Sequence, residues 1–165
     1  MPAKVIGKFL NYGFPGTPSR MSDCVIAPYG FPVASATTGT QIAFGEPVAF
    51  DPTLGGVRKV KTGDTADVII GFAVRKVSQP HADNATGWYY EPGDTVDVLL
   101  RGSMTINVAN ATGVAPRGGV YVDVATGDVY GATGSGRVAV ANAKFAAGNV
   151  DSEGVAEITL TDRAI

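Results

Sequence analysis

Apolar and polar side chains alternate most regularly across residues 91–109. Pro92-Gly93-Asp94 supplies turn chemistry. After it Val96, Val98 and Leu100 alternate with Thr95, Asp97 and Leu99, the period-2 rhythm of a strand with one buried face. Arg101-Gly102-Ser103 interrupts the run, and Met104, Ile106 and Val108 resume it against Thr105, Asn107 and Ala109. The pattern predicts strand, tight turn, strand. The same opening occurs earlier as Gly63-Asp64-Thr65-Ala66-Asp67-Val68-Ile69-Ile70-Gly71, so a polar turn feeding a buried strand is used twice. Two copies make an echo, not a repeat array.

Further strand signals begin at Gln41. Ile42 and Phe44 are followed by Val48 and Phe50, a turn at Asp51-Pro52-Thr53-Leu54-Gly55-Gly56, and a short charged strand at residues 57–61. Residues 66–77 are nearly continuous in Val, Ile and Phe and predict a core strand, with Gly71 marking a bulge or bend. Val120, Val122 and Val124 alternate, Ala125-Thr126-Gly127-Asp128 reads as a hairpin turn, and residues 137–145 and 155–161 are the last two strands. Residues 141–147 could form one helical turn before Gly148. About ten short strands and no credible helix predict an all-β fold, a single β-barrel or jelly-roll-like sandwich.

Residues 1–40 follow neither period. Phe9, Leu10, Tyr12, Phe14, Met21, Val25, Ile26, Tyr29 and Phe31 are too apolar for a solvated tail, while Pro15, Pro18, Pro28 and Pro32 forbid a long helix and favour an extended path. Two readings stand: an arm wrapped along its own domain, or an arm lying partly on another subunit. The expected organisation is an extended apolar N-terminal arm and linker over residues 1–40, then a β-domain over residues 41–165. A second aromatic group, Trp88-Tyr89-Tyr90, closes a polar loop and reads either as core packing or as a contact surface.

Composition narrows the picture. Charged residues make up 17% of the chain against 22 Gly and 10 Pro, which suits many short turns and disfavours long helices. The net charge of −2 gives no general pull toward nucleic acid, and Arg58-Lys59 and Arg75-Lys76 are brief pairs on alternating strands. Cys24 is the single cysteine, so no intrachain disulfide staples the fold and a reducing cytosol is the simpler place of assembly. The N-terminal residues lack the apolar core of a secretory signal, and no stretch approaches the ~18 apolar residues of a membrane span, so no membrane partner is expected.

Catalytic chemistry finds little to work with. One His and one Cys some distance apart do not make a zinc site, and Asp123, Thr126 and Asp128 lack the carboxylate density of a calcium loop. His81 sits in a loop with no partnered nucleophile nearby in sequence. Residues 131–136 are glycine-rich but lack the Lys-Ser/Thr ending of a phosphate-binding loop. Asp64, Asp67, Asp94 and Asp97 could act as acid-base pairs if they converged, yet turn formation and a solvated strand face account for them. No catalytic residue, metal or cofactor is expected.

The apolar arm followed by Gly45-Glu46-Pro47-Val48-Ala49-Phe50-Asp51-Pro52, Ile70-Gly71-Phe72-Ala73-Val74, Pro92-Gly93-Asp94-Thr95-Val96-Asp97-Val98-Leu99-Leu100-Arg101-Gly102 and Gly118-Gly119-Val120-Tyr121-Val122 resembles the structural cement or head decoration proteins of tailed bacteriophages. The resemblance runs from about Gly13 onward. It implies a non-enzymatic virion protein, made in the host cytoplasm, that binds the outer face of the capsid as a small homo-oligomer, a trimer ahead of a dimer. There it would bridge neighbouring major capsid protein subunits against internal DNA pressure. Under that reading Phe9, Tyr12, Phe14, Met21, Tyr29 and Phe31 are the candidate arm contacts, followed by Trp88, Tyr89 and Tyr90. The alternatives are a carbohydrate- or receptor-binding β-module of a phage tail, with Trp88-Tyr89-Tyr90 stacking on sugar, and a small β-barrel enzyme built on His81 and converging Asp residues.

Overall fold

The computed structural model describes residues 11–33, 41–76 and 89–161. Eleven strands are described: β1 (Val25–Gly30), β2 (Ile42–Ala43), β3 (Pro47–Asp51), β4 (Gly56–Lys59), β5 (Ile69–Ala73), β6 (Tyr89–Tyr90), β7 (Thr95–Asn107), β8 (Gly119–Asp123), β9 (Val129–Tyr130), β10 (Arg137–Phe145) and β11 (Val155–Leu160). Nine of them form one sheet in the order β4-β3-β5-β7-β11-β10-β8-β9, with β1 also paired to β7, and the sheet curls into a half-barrel. β2 and β6 pair separately. The all-β expectation agrees with this architecture.

β7 is the spine, and it corrects the expected strand, turn, strand. Its first half pairs with β1 and β5 and its second half with β11, so one unbroken strand of 13 residues belongs to both parts of the sheet. The break at Arg101-Gly102-Ser103 is a bend instead of a reversal. Gly102 has φ 117, a backbone region costly for any residue with a Cβ. Beside it the register with β1 slips, Val25 facing Arg101 and Ile26 facing Leu99, which leaves Leu100 bulged.

The bulge inverts which face each residue presents. Before it Leu99 packs in one hydrophobic cluster and Val96 and Val98 in another; after it Met104, Ile106 and Val108 join the cluster of Leu99. That larger cluster lies between the two parts of the curled sheet and includes Phe72, Val122, Phe145 and Ile158. The second cluster is formed by Val48, Val57, Ala73, Val96 and Val98 together with Ile42, Phe44, Tyr90 and Phe31. β1 returns toward β4 there: a Cβ on Gly56 would lie 2.4 Å from the Gly30 carbonyl oxygen.

Three more expectations are adjusted. Residues 66–68 form a 3-10 turn before β5, while the bulge expected near Gly71 is present: Val48 pairs with Gly71 and Ala49 with Ile69, leaving Ile70 between them. Residues 137–145 form β10 as expected, so the alternative of a helical turn over residues 141–147 is not taken, and the register of β10 with β8 slips between Val140 and Lys144. Val25–Gly30 forms a regular strand within the aperiodic leader. Its Pro28 is tolerated because, among the described strands, β1 pairs only with β7.

Candidate functional site

The leader runs along β7, and two of its ties to the body flank Phe14. At the first, the Tyr12 amide donates to Asp151 Oδ2 at 2.9 Å and the Tyr12 hydroxyl to Asn149 Oδ1 at 2.8 Å, with Ser152 Oγ 3.3 Å from Asn11 Oδ1. At the second, the Gly16 amide donates to the Thr105 carbonyl at 2.7 Å, the Thr105 amide to the Thr17 carbonyl at 3.0 Å and the Ser19 amide to the Ser103 carbonyl at 2.9 Å. The buried Thr105 hydroxyl donates to the Phe14 carbonyl at 2.6 Å. Gly16 also accepts the Arg75 amide at 2.8 Å, so its peptide links the end of β5 to β7. A Cβ on Gly16 would come 2.9 Å from both the Arg75 and Gly45 nitrogens, which explains a glycine here at φ 80.

Between these anchors stands Phe14, 59% exposed, with the Arg75 guanidinium 4.1 Å from its ring centroid. Farther along, Met21 is 68% exposed on a 3-10 turn whose neighbour Cys24 fills the space beside Gly102. Arg101 lies 3.7 Å from Asp23 on the same stretch. The leader thus bonds part of its main chain to its own sheet while Phe14, Met21, Val25 and Val33 present apolar side chains outward.

The other residues singled out by sequence are placed differently. Tyr12 is half-buried by its latch, and Tyr29 is half-buried edge-on to Phe50 at 6.2 Å. Phe31 is 2% exposed and Tyr90 3%, both inside the second cluster. The Tyr90 hydroxyl donates to the Val74 carbonyl at 2.6 Å, and burial pushes its pKa up to about 12. That ring leaves little face for stacking on a sugar. Tyr89 is half-buried and pairs with Ala43. Phe9, Trp88 and His81 lie outside the described residues.

Of the four carboxylates considered for acid-base work, Asp64 and Asp94 are turn staples, while Asp67 lies in the 3-10 turn before β5 and Asp97 in β7 opposite Pro28. In Lys61–Asp64 the Asp64 amide donates to the Lys61 carbonyl at 3.0 Å and the Lys61 amide returns to Asp64 Oδ2 at 2.8 Å. Glu91–Asp94 repeats both bonds at 2.9 Å, and Ala43–Glu46 repeats them at 3.2 and 3.0 Å. Gly63, Gly93 and Gly45 precede the acid in each turn, with φ 93, 102 and 83. The sequence echo is therefore one turn built three times.

Asp64 also takes both Arg58 Nη atoms at 2.7 and 2.8 Å, while Arg58 Nε reaches Asp51 at 3.3 Å. The side chains of Arg58 and Asp64 are 13% and 6% exposed, making this a partly buried ion pair. Burial opposes ionisation of Asp64, but the Arg58 fork and the Lys61 amide outweigh it and hold its carboxyl below the usual carboxylate range. Among the described residues no group of three or more His, Cys, Asp or Glu could hold a metal ion, and no helix is long and apolar enough to cross a membrane.

Sequence reasoning missed Thr105, Asp151 and Gly16. Thr105 reads as the solvent side of an alternating strand, and its burial depends on the leader crossing it. Asp151-Ser152-Glu153-Gly154 has turn composition, which flags the turn and not its bond to a residue far away in sequence. Burial opposes ionisation of Asp151 too, and the amides of Val155, Tyr12 and Glu153 overcome it to lower its pKa.

Comparison with known proteins bears on this surface. The family model described as structural cement protein (E217 gp24/Pam3 gp6) matches residues 1–161. Among solved structures, a chain of "The capsid of Myoviridae Phage XM1" superposes with a TM-score of 0.69 at 18% identity, covering 100% of both chains. No curated protein matches the sequence. The family match spans nearly the whole chain, and the fold is shared from end to end with a capsid chain. The protein therefore belongs to the phage structural cement protein family and is a capsid-stabilising structural component of the virion.

Proposed function

We propose that the protein sits on the outer face of the capsid, bridges neighbouring major capsid protein subunits, and does so as a small homo-oligomer, a trimer ahead of a dimer. Its role is mechanical and not catalytic. The observation that carries this reading is the outward display of Phe14 and Met21 on a leader whose main chain is already bonded to a rigid sheet. Side chains held in place lose little entropy when a partner covers them. Several such patches on one oligomer act together through effective concentration, so modest contacts add up to firm attachment. Phe14 and Met21 are the principal contacts, Tyr12 and Tyr29 contribute their exposed edges, and Phe9 and Trp88 are further candidates. Phe31, Tyr89 and Tyr90 support the surface from within.

The test is to mix purified protein with heads assembled without it and to follow co-sedimentation and heat resistance. Saturable binding at a regular stoichiometry, with heads that survive a higher temperature, is the expected result. Heads that neither bind the protein nor gain resistance would refute the proposal. Removing residues 1–20 should weaken attachment.

A further inference from the structure

Asp151 divides its two oxygens between two tasks. Oδ1 accepts the Glu153 and Val155 amides at 2.9 and 2.8 Å and so shapes its own turn before β11. Oδ2 reaches the leader and accepts the Tyr12 amide at 2.9 Å. Asn149, in the same loop, takes the Tyr12 hydroxyl at 2.8 Å. The loop between β10 and β11 is thus a buckle for the leader, closed by a bond to a charged acceptor, which is stronger than a neutral one.

The buckle matters because it holds the chain immediately before an exposed aromatic ring. Gly13 has φ 92 and turns the chain, Phe14 points outward, and the Thr105 hydroxyl captures the Phe14 carbonyl at 2.6 Å. Thr105 restrains the chain after the Phe14 side chain; among the described residues the loop restrains it before. With the loop bond lost, Tyr12 is released beside a glycine and the Phe14 ring is no longer fixed from both sides.

We infer that Asp151, with Asn149, is a positioning residue for capsid attachment: it clamps the leader at Tyr12 so that Phe14 is preset for an apolar pocket on the capsid surface. This rests on the reading of Phe14 as a contact. The residue so assigned acts through Tyr12 and lies far along the chain from the leader it holds.

The chemistry allows a selective test. Asp151→Asn can keep Oδ1 in its turn while setting an NH2 group against the Tyr12 N–H, donor against donor, so the buckle opens and the turn stays. Wild type, Asp151→Asn, Asn149→Ala and Phe14→Ala proteins are compared for binding to heads lacking the protein, for melting temperature, and for amide exchange at Tyr12. Asp151→Asn should speed Tyr12 exchange about tenfold or more and weaken binding about three- to tenfold, with little change in melting temperature. Combined with Phe14→Ala it should add little further loss, because the clamp acts through that ring. Asn149→Ala, which leaves the Asp151 turn alone, should shift both readouts the same way by less and serves if Asp151→Asn disturbs the fold.

Faster Tyr12 exchange with undiminished binding in both loop variants, while Phe14→Ala weakens it, overturns the clamp and leaves the contact reading intact. Unchanged Tyr12 exchange in both also overturns the clamp. Weaker binding in the loop variants with Phe14→Ala unimpaired also overturns the inference, because the loop would then act through something other than the Phe14 ring. Unimpaired binding in all of them removes the contact reading and the clamp together.

Discussion

Replacing Gly102 by alanine tests whether β7 is one bent strand serving both parts of the sheet. At φ 117 a Cβ enters a region that costs a non-glycine residue about 1–3 kcal/mol. The new methyl would also lie 2.8 Å from Cys24 Sγ, 2.9 Å from Cys24 Cα and 3.1 Å from the Asp23 carbonyl oxygen. Two of these neighbours are backbone atoms of the leader, so a rotamer change cannot relieve them, and overpacking of this kind costs about 1–3 kcal/mol. A total near 3 kcal/mol lowers the melting temperature of a domain this size by about 6–12 °C. Gly55→Ala is the control: its φ of 67 is also positive, but nothing lies within 4 Å of the new methyl, so it should cost about 1 kcal/mol. Calorimetry on the two variants decides the matter. Equal, small losses would show that Gly102 is not packed under the leader, and the account of β7 would fail.

Other sites give independent tests. Thr105→Val removes the hydroxyl that serves the Phe14 carbonyl; it should cost about 1–3 kcal/mol by urea unfolding and raise exchange at the Gly16 amide first. Arg58→Met leaves Asp64 without its partner in a partly buried site and should cost about 1–3 kcal/mol at neutral pH. Because the folded Asp64 pKa lies below 3.8, the wild-type contribution is full above that value and is lost as pH falls through the folded pKa; acid titration of stability should show a smaller step in the variant. Tyr90→Phe should cost about 1 kcal/mol and flatten the alkaline limb: in wild type the neutral phenol is favoured on folding, so stability drops as pH rises from 10.0 through about 12.

Much of the strand order was legible because period-2 alternation and turn residues are local. β10 spans the predicted residues, and the hairpin at Ala125–Asp128 joins β8 and β9 as expected. The repeated Gly-Asp-Thr was also readable, since a glycine at positive φ followed by a capping acid is a property of four residues. The misread features depend on distant partners. Val96, Val98 and Leu100 share parity with Met104, Ile106 and Val108, so the pattern looks like one face on both sides of Gly102, and a bulge of one residue inverts it. Adjacent Leu99 and Leu100 were the available sign that both faces are covered there. Residues 141–147 carry no clear pattern of their own, which leaves a helical turn open as an alternative; residues 141–145 are held as strand between β8 and β11. Nor could spacing show that Asp151 reaches Tyr12.

The central claim is that the leader face, with Phe14 and Met21 outward, is the face that meets the capsid. Hydroxyl-radical footprinting compares the reactivity of these two side chains in free protein and in protein bound to heads. Strong protection of both on binding, with Leu54 on the turn between β3 and β4 as an exposed reference that stays reactive, is the predicted result. Bound protein in which Phe14 and Met21 react as fast as in solution would contradict the account.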